Sequence, residues 1–187
     1  IPKGVEEGIK RGMYLFRSPE SGTAQVQLMG SGAILREVIH AADLLMEDFQ
    51  IQSNIWSILG VNQLHREALV IEDWNRLHPD QPGKKSYVEE LLQGHEGPAI
   101  ISTDYVNSYS EQIRRLIPNS LTILGTDGFG RSDSRDVLRR FFKVDRYHIV
   151  ISALKALADQ QKIPLETVNK AITKYAIDPE APHSITR

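Results

Sequence analysis

Four short apolar runs, three of them followed by a stretch of helical periodicity, leave this chain few folds to choose from. "AQVQLMG" (24–30) alternates Val26 and Leu28 and runs into Gly30, Ser31 and Gly32, after which Ile34, Leu35, Val38, Ala42, Leu45, Met46 and Phe49 keep helical spacing. "NIWSILG" (54–60) repeats the strand signal, and Leu69, Val70, Trp74 and Leu77 predict a helix that Pro79 stops. "GPAIIST" (97–103) precedes helical "YVNSYSEQIRRLI" (105–117), and "LTILG" (121–125) is the fourth run. Strands joined through helices can pair in parallel, because the helix supplies the crossover. The expected class is α/β, a three-layer α/β/α sandwich with a mostly parallel sheet.

The flanks read differently. Val5, Ile9 and Met13 at spacing four predict a short amphipathic helix over 3–16, ended by "RSPESG", so residues 1–22 are expected to be a leading helix and linker. A short helix is expected around Tyr87 to Leu92. Ser132 is placed to cap a helix carrying Val137, Leu138, Phe141 and Phe142 on one face, with Asp133 and Asp136 early and Arg139 and Arg140 late, as the helix dipole favours. Asp145 can cap the next, with Val150, Ala153, Leu154, Leu157 and Ala158 as its buried stripe, and "LETVNKAITKYAI" supplies the last. Residues 178–187 are expected to be an extended tail.

Composition excludes several functions. With 22 basic against 24 acidic residues the chain has no net field to draw in nucleic acid, and the Arg114-Arg115 and Arg139-Arg140 pairs stand alone. Without cysteine there is no disulfide framework and no thiolate zinc site, which suits a reducing cytoplasm. No apolar run approaches the length that spans a bilayer. The opening "IPKGVEEGIKRG" has neither an initiator Met nor a signal pattern, so a piece of a longer polypeptide is expected, one domain over 1–187.

The stretch with the densest chemistry is "GTDGFGRSDSR" (125–135). As a ligand loop, it would offer helix-start N–H groups with Arg131 and Arg135 to a phosphate or carboxylate. As a turn, it would use glycine for φ > 0 and let Asp127 and Asp133 satisfy loop N–H groups themselves. The turn explains every residue type present; the anion site leaves the carboxylates unexplained. Gly30-Ser31-Gly32 begins a dinucleotide fingerprint, but Leu35 stands where the third glycine belongs, so tight strand-to-helix turning is the better explanation. The ligand or interface candidates are thus Gly30, Ser31, Gly32, Asp127, Gly128, Gly130, Arg131, Ser132, Asp133 and Arg135. His40, His65, His78, His95, His148 and His183 show no metal spacing, and no G-x-S-x-G nucleophile motif occurs. His78 is expected to meet helix-end carbonyls, and Trp74 to anchor in the core or at a subunit contact.

Taken together, "GSGAILREV", "EDWNRLHP", "STDYVNSYSEQIRRLIP" and above all "LGTDGFGRSDSRDVLRRFFKVD" resemble the carboxyl-terminal domain of the homodimeric bacterial pyruvate dehydrogenase decarboxylating component. The resemblance runs from "IPKGVEEGI" to about "AITKYAID". It implies a transketolase-like C-terminal domain with a five-stranded, mainly parallel sheet that helps form the dimer. It implies a parent that uses thiamine diphosphate and Mg²⁺ to decarboxylate pyruvate and passes the acetyl group to the lipoyl arm of the acetyltransferase component. The family's cofactor motif, Gly-Asp-Gly followed by Asn-Asn, does not occur here, since Thr126 precedes Asp127-Gly128, so no catalytic, cofactor or metal residue carries over. The domain is expected to serve assembly, with regulation as a further role. An independent small-anion or nucleotide-binding domain is the alternative, and a docking surface for the acetyltransferase a third reading.

Overall fold

In the computed structural model, which describes residues 2–186, five strands form one sheet in the order β1-β3-β2-β4-β5. They are β1 (Met13–Arg17), β2 (Val26–Ser31), β3 (Ser53–Ile58), β4 (Ala99–Ser102) and β5 (Leu121–Leu124). β2 pairs in parallel with β3 and β4, and β4 with β5; only β1 runs antiparallel, against β3. The helices are α1 (Glu6–Arg11), α2 (Leu35–Phe49), α3 (Val61–Leu77), α4 (Tyr87–Leu91), α5 (Asn107–Glu111), α6 (Arg135–Phe141), α7 (Arg146–Asp159) and α8 (Leu165–Lys174). The α/β sandwich expected from the alternation is the fold observed.

Period-two patterning and parallel register together build two cores. Leu28 lies beside Ile55 on one side and Ile100 on the other, and this row buries against Val38, Leu45, Val150, Ala153 and Leu154 of α2 and α7, with α8 behind them. The next row, Trp56, Met29 and Ile101, faces the opposite layer, where Leu64 and Ala68 of α3 and Val88 of α4 close over it. Both sheet faces are therefore covered, which a parallel sheet requires.

Several expectations are corrected. The leading helix stops at Arg11 because Gly12, at φ +98°, caps it in the left-handed conformation and returns its N–H to Gly8. A Cβ at Gly12 would lie 3.0 Å from the Gly60 carbonyl, and the chain leaves this close approach as β1 rather than as more helix. Residues 1–22 are thus not helix and linker alone; they contain the sheet's antiparallel edge. The helix expected over 105–117 breaks into α5 and a 3-10 turn, Arg114–Leu116. The helix predicted through Val70 and Leu77 is α3, and those residues mark its outward side: Val61, Leu64 and Ala68 are buried, whereas Val70 and Leu77 remain 68% and 67% exposed. Ser132 does not cap α6; Ser134 flanks its start without a side-chain cap. Asp145 does cap α7, accepting the His148 N–H at 2.9 Å. Nor is the tail fully extended, since Ser184–Thr186 form a 3-10 turn with Ser184 buried.

Candidate functional site

The two glycine-bearing stretches singled out from sequence meet at the carboxyl ends of the strands, and Asp104 lies between them. Gly30 and Ser31 are the last residues of β2. A Cβ on Gly30 would sit 2.8 Å from Val38 Cγ2 and 2.9 Å from Leu35 Cα, so glycine here lets α2 close onto the strand. The Ser31 hydroxyl bonds the Thr103 hydroxyl at 2.7 Å. Gly32, at φ +52°, faces the Asp104 carboxylate, whose nearest oxygen would be 3.7 Å from an added Cβ. The strand-end glycines therefore serve turning and helix packing.

The 125–135 loop is stapled to its neighbours. Thr126 donates its N–H to the Tyr105 carbonyl at 2.9 Å and its hydroxyl to the Asp104 carbonyl at 2.7 Å. Asp127 accepts the Asn107 N–H at 3.1 Å, and Asp133 accepts the Ser134 N–H at 2.6 Å. Asp127 reaches 20 residues away to the start of α5, whereas Asp133 serves its own loop as the turn reading assigns. The glycines do so only in part. Gly128, at φ +105°, needs glycine, and a Cβ there would lie 2.6 Å from the Ser184 carbonyl oxygen of the folded-back tail. Gly130 has open space around it and no positive φ. Between these fixed points Phe129 stands 81% exposed.

α6 has no fully buried side chain; Leu138, Arg139, Arg140 and Phe141 are half-buried, and polar contacts add to that packing. Glu37, on α2 and 2% exposed, accepts from Arg139 Nη1 at 2.9 Å and from Arg146 Nε, Nη2 and N–H at 2.9, 3.0 and 3.1 Å. Burial pushes the Glu37 carboxyl up, but hydrogen bonds and charge from Arg146 and then Arg139 outweigh it and leave it below the ordinary range. Arg140 donates to the Tyr175 and Ala176 carbonyls at the end of α8, both at 2.8 Å. This latch was missed from sequence: its partners lie 102 and 109 residues apart, beyond any local pattern.

Arg131 lies over the Phe141 ring, 4.7 Å from its centroid. Arg131 and Arg135, which opens α6, line a cavity of about 400 Å³ with Ile34, Asp104, Leu138 and Phe142. Ser132 and Asp133 instead line the adjoining hollow beneath Phe129. Among the described residues no three His, Asp or Glu side chains come together in a way that would hold a metal ion. His78 Nδ1 lies 2.8 Å from the Trp74 carbonyl, as expected, and His148 Nδ1 2.7 Å from Asp145, both within one turn, whereas His65 Nδ1 lies 3.0 Å from the Gln112 carbonyl of another element. Trp74 is half-buried on α3, stacked on His78 at 4.3 Å, with Lys84 Nζ 3.6 Å above its ring.

A model of the transketolase-like TK C-terminal domain matches residues 12–145. Among curated proteins, the pyruvate dehydrogenase E1 component of Pseudomonas aeruginosa is 56% identical over 182 residues, 96% of this chain and 21% of that protein. That of Cupriavidus necator is 47% identical over the whole chain and 21% of its own length. The chain thus spans about a fifth of the length of the curated relatives it matches. Among solved structures, transketolase from Leishmania mexicana aligns with 82% of this chain and 19% of its own, at a TM-score of 0.55 and 19% identity, a likeness of fold. No helix among the described residues is long and apolar enough to cross a membrane.

Proposed function

The chain belongs to the transketolase-like TK C-terminal domain family, and from that membership we propose that it is the assembly domain of a pyruvate dehydrogenase E1 component. In this reading the parent decarboxylates pyruvate and reductively acetylates the lipoyl group of its acetyltransferase partner. Thiamine diphosphate and Mg²⁺ belong to the rest of the parent, and this domain contributes no reacting group. The residues here do not fit that cofactor: the strand-end glycine turn is filled by the approach of α2, and the loop carboxylates are engaged with backbone N–H groups.

The observation that carries the reading is Phe129. A large aromatic side chain held 81% exposed on a loop anchored on both sides is poised for a protein surface. Upstream domains of the parent or the homodimer mate are the surfaces proposed for it, with regulation acting through the same contact. The test is made in the full-length parent. Asp127→Ala and Phe129→Ser are expected to lower dimer stability and melting temperature more than they slow the chemical step. A selective loss of that step with dimer and melting intact would overturn the assignment.

One observation favours a second reading, a site for a small organic anion. Neither Arg131 nor Arg135 has a carboxylate partner among the described residues, and both face an apolar-floored cavity. Melting of the chain against phosphate, pyruvate, acetyl-CoA and common nucleotides decides it. A saturable rise lost in Arg131→Ala with Arg135→Ala supports the site, and no shift removes it.

A further inference from the structure

The cavity that Arg131 and Arg135 line has a defined place in the topology. The chain leaves β2 for α2, which packs on one face of the sheet, and leaves the neighbouring β4 for α5, whose Tyr109 packs on the other. Ala33 and Ile34, just past β2, and Asp104, just past β4, border the cavity together. It therefore opens outside the carboxyl ends of two adjacent strands whose connections part to opposite faces, the crevice where open α/β sheets hold their ligands. Three charges around it have no partner of opposite sign among the described residues. Asp104 turns its carboxylate toward Gly32, and the Thr126 hydroxyl, at 2.7 Å, reaches only its backbone carbonyl. Arg131 lies over the Phe141 ring, a contact that fixes the guanidinium without using its N–H donors. Arg135 is exposed at the start of α6. Arg139, the third arginine of the wall, is taken by Glu37 at 2.9 Å. Ala33, Ile34, Leu138, Phe142 and Val144 make much of the remaining wall apolar.

We propose that this crevice binds a small zwitterion, an α-amino acid with an apolar side chain, its carboxylate on Arg131 and Arg135 and its ammonium on Asp104. The inference rests on the reading of the cavity as a site for a small organic anion and names the class of that ligand. Charge selects it. A plain anion satisfies the arginines but leaves the Asp104 carboxylate unmatched beside a like charge, and a plain amine satisfies Asp104 but leaves both arginines unmatched. A ligand carrying both groups on one carbon meets all three. The guanidinium fork takes a carboxylate through parallel N–H donors, and the Asp104 carboxylate accepts from an ammonium. The apolar wall then gives the side chain of the ligand a surface to bury against.

The test is thermal melting of the chain against graded concentrations of three probes: L-leucine, isocaproate, which lacks the ammonium, and isoamylamine, which lacks the carboxylate. Leucine is expected to raise the melting temperature saturably, and each truncated probe to bind at least about tenfold more weakly. Asp104→Asn should bring leucine down to the affinity of isocaproate and leave that of isocaproate unchanged, whereas Arg131→Ala with Arg135→Ala should abolish both shifts. Because the Asp104 carboxylate takes no hydrogen bond among the described residues, the ligand-free melting of Asp104→Asn should match the parent's. Equal affinity for leucine and isocaproate, or a leucine shift indifferent to Asp104→Asn, overturns the inference and leaves the anion reading to the arginine variant. No shift with leucine overturns it too, and the anion reading then stands or falls on phosphate and pyruvate.

Discussion

Replacing Glu37 by glutamine keeps the size and planarity of the side chain while removing the one charge that Arg139 and Arg146 share. The Glu37 side chain is 3% exposed and takes four hydrogen bonds; the side chains of Arg139 and Arg146 are 17% and 31% exposed. Breaking a buried pair on one side costs about 3–5 kcal/mol, mostly from leaving the remaining charge without its partner. Both arginines reach some water, so the lower end applies, about 3 kcal/mol. For a domain of this size each kcal/mol moves the melting temperature by about 2–4 °C, which gives a fall of roughly 6–12 °C. Because Glu37 titrates below its ordinary range when folded, its contribution is present above the unfolded carboxyl pKa and is lost as pH falls through the folded value. The gap between parent and Glu37→Gln should therefore be full near neutrality and close in acid. Since α6 has no fully buried side chain, amide exchange over 125–141 should rise in the variant before the sheet loosens. Melting against pH, with exchange at pH 7, reads both effects. A shift under about 2 °C at neutral pH, less than 1 kcal/mol, would refute the view that this latch holds α6.

Three other perturbations have defined outcomes. Gly128→Ala forces a left-handed φ of +105° on alanine and drives its Cβ into the Ser184 carbonyl; it should cost about 1–3 kcal/mol and expose the 178–186 segment to limited proteolysis, and an unchanged urea midpoint would contradict this. Ser86→Ala removes the hydroxyl that accepts the Glu89 N–H at 3.4 Å and donates to the Glu89 carboxylate at 2.7 Å, so urea unfolding should lose about 1 kcal/mol, and no loss would mean α4 is held by packing alone. The tautomer of His95 follows from an indole that can only donate: Trp56 Nε1–H occupies the Gln27 carbonyl oxygen at 2.9 Å, so Asn54 must also donate there at 3.0 Å. The same Asn54 amide meets His95 Nδ1 at 3.0 Å, which makes that nitrogen an acceptor and puts the proton on Nε2. Nitrogen-15 NMR should show Nδ1 without a proton, and a protonated Nδ1 would break the chain of reasoning.

By itself the sequence determined the layers and much of their interior. The four apolar runs became β2–β5, the helical spacing after the first became α2, and the stripe behind Asp145 became α7, because a parallel sheet buried on both faces is apolar and the helices that cover it repeat every 3.6 residues. Asp145 was legible as a cap because its role is completed three residues away. Asp133 was legible for the same reason, since its partner is the next residue, whereas Asp127 takes the Asn107 N–H 20 residues away. Tertiary structure decided the rest. Met13 continued a helical spacing, yet became strand because Gly12 turns the chain beside Gly60 and β3 offered an unpaired edge. The α3 pattern pointed to the outward stripe, because periodicity reports that a helix has an apolar face and not which face the sheet will cover. Ser132 lost the cap to a later start of α6, a helix placed by Glu37, Tyr175 and the folded-back tail rather than by its own residues. Local rules act over one or two turns, whereas these contacts join positions tens to a hundred residues apart, and only folding brings them within hydrogen-bonding distance.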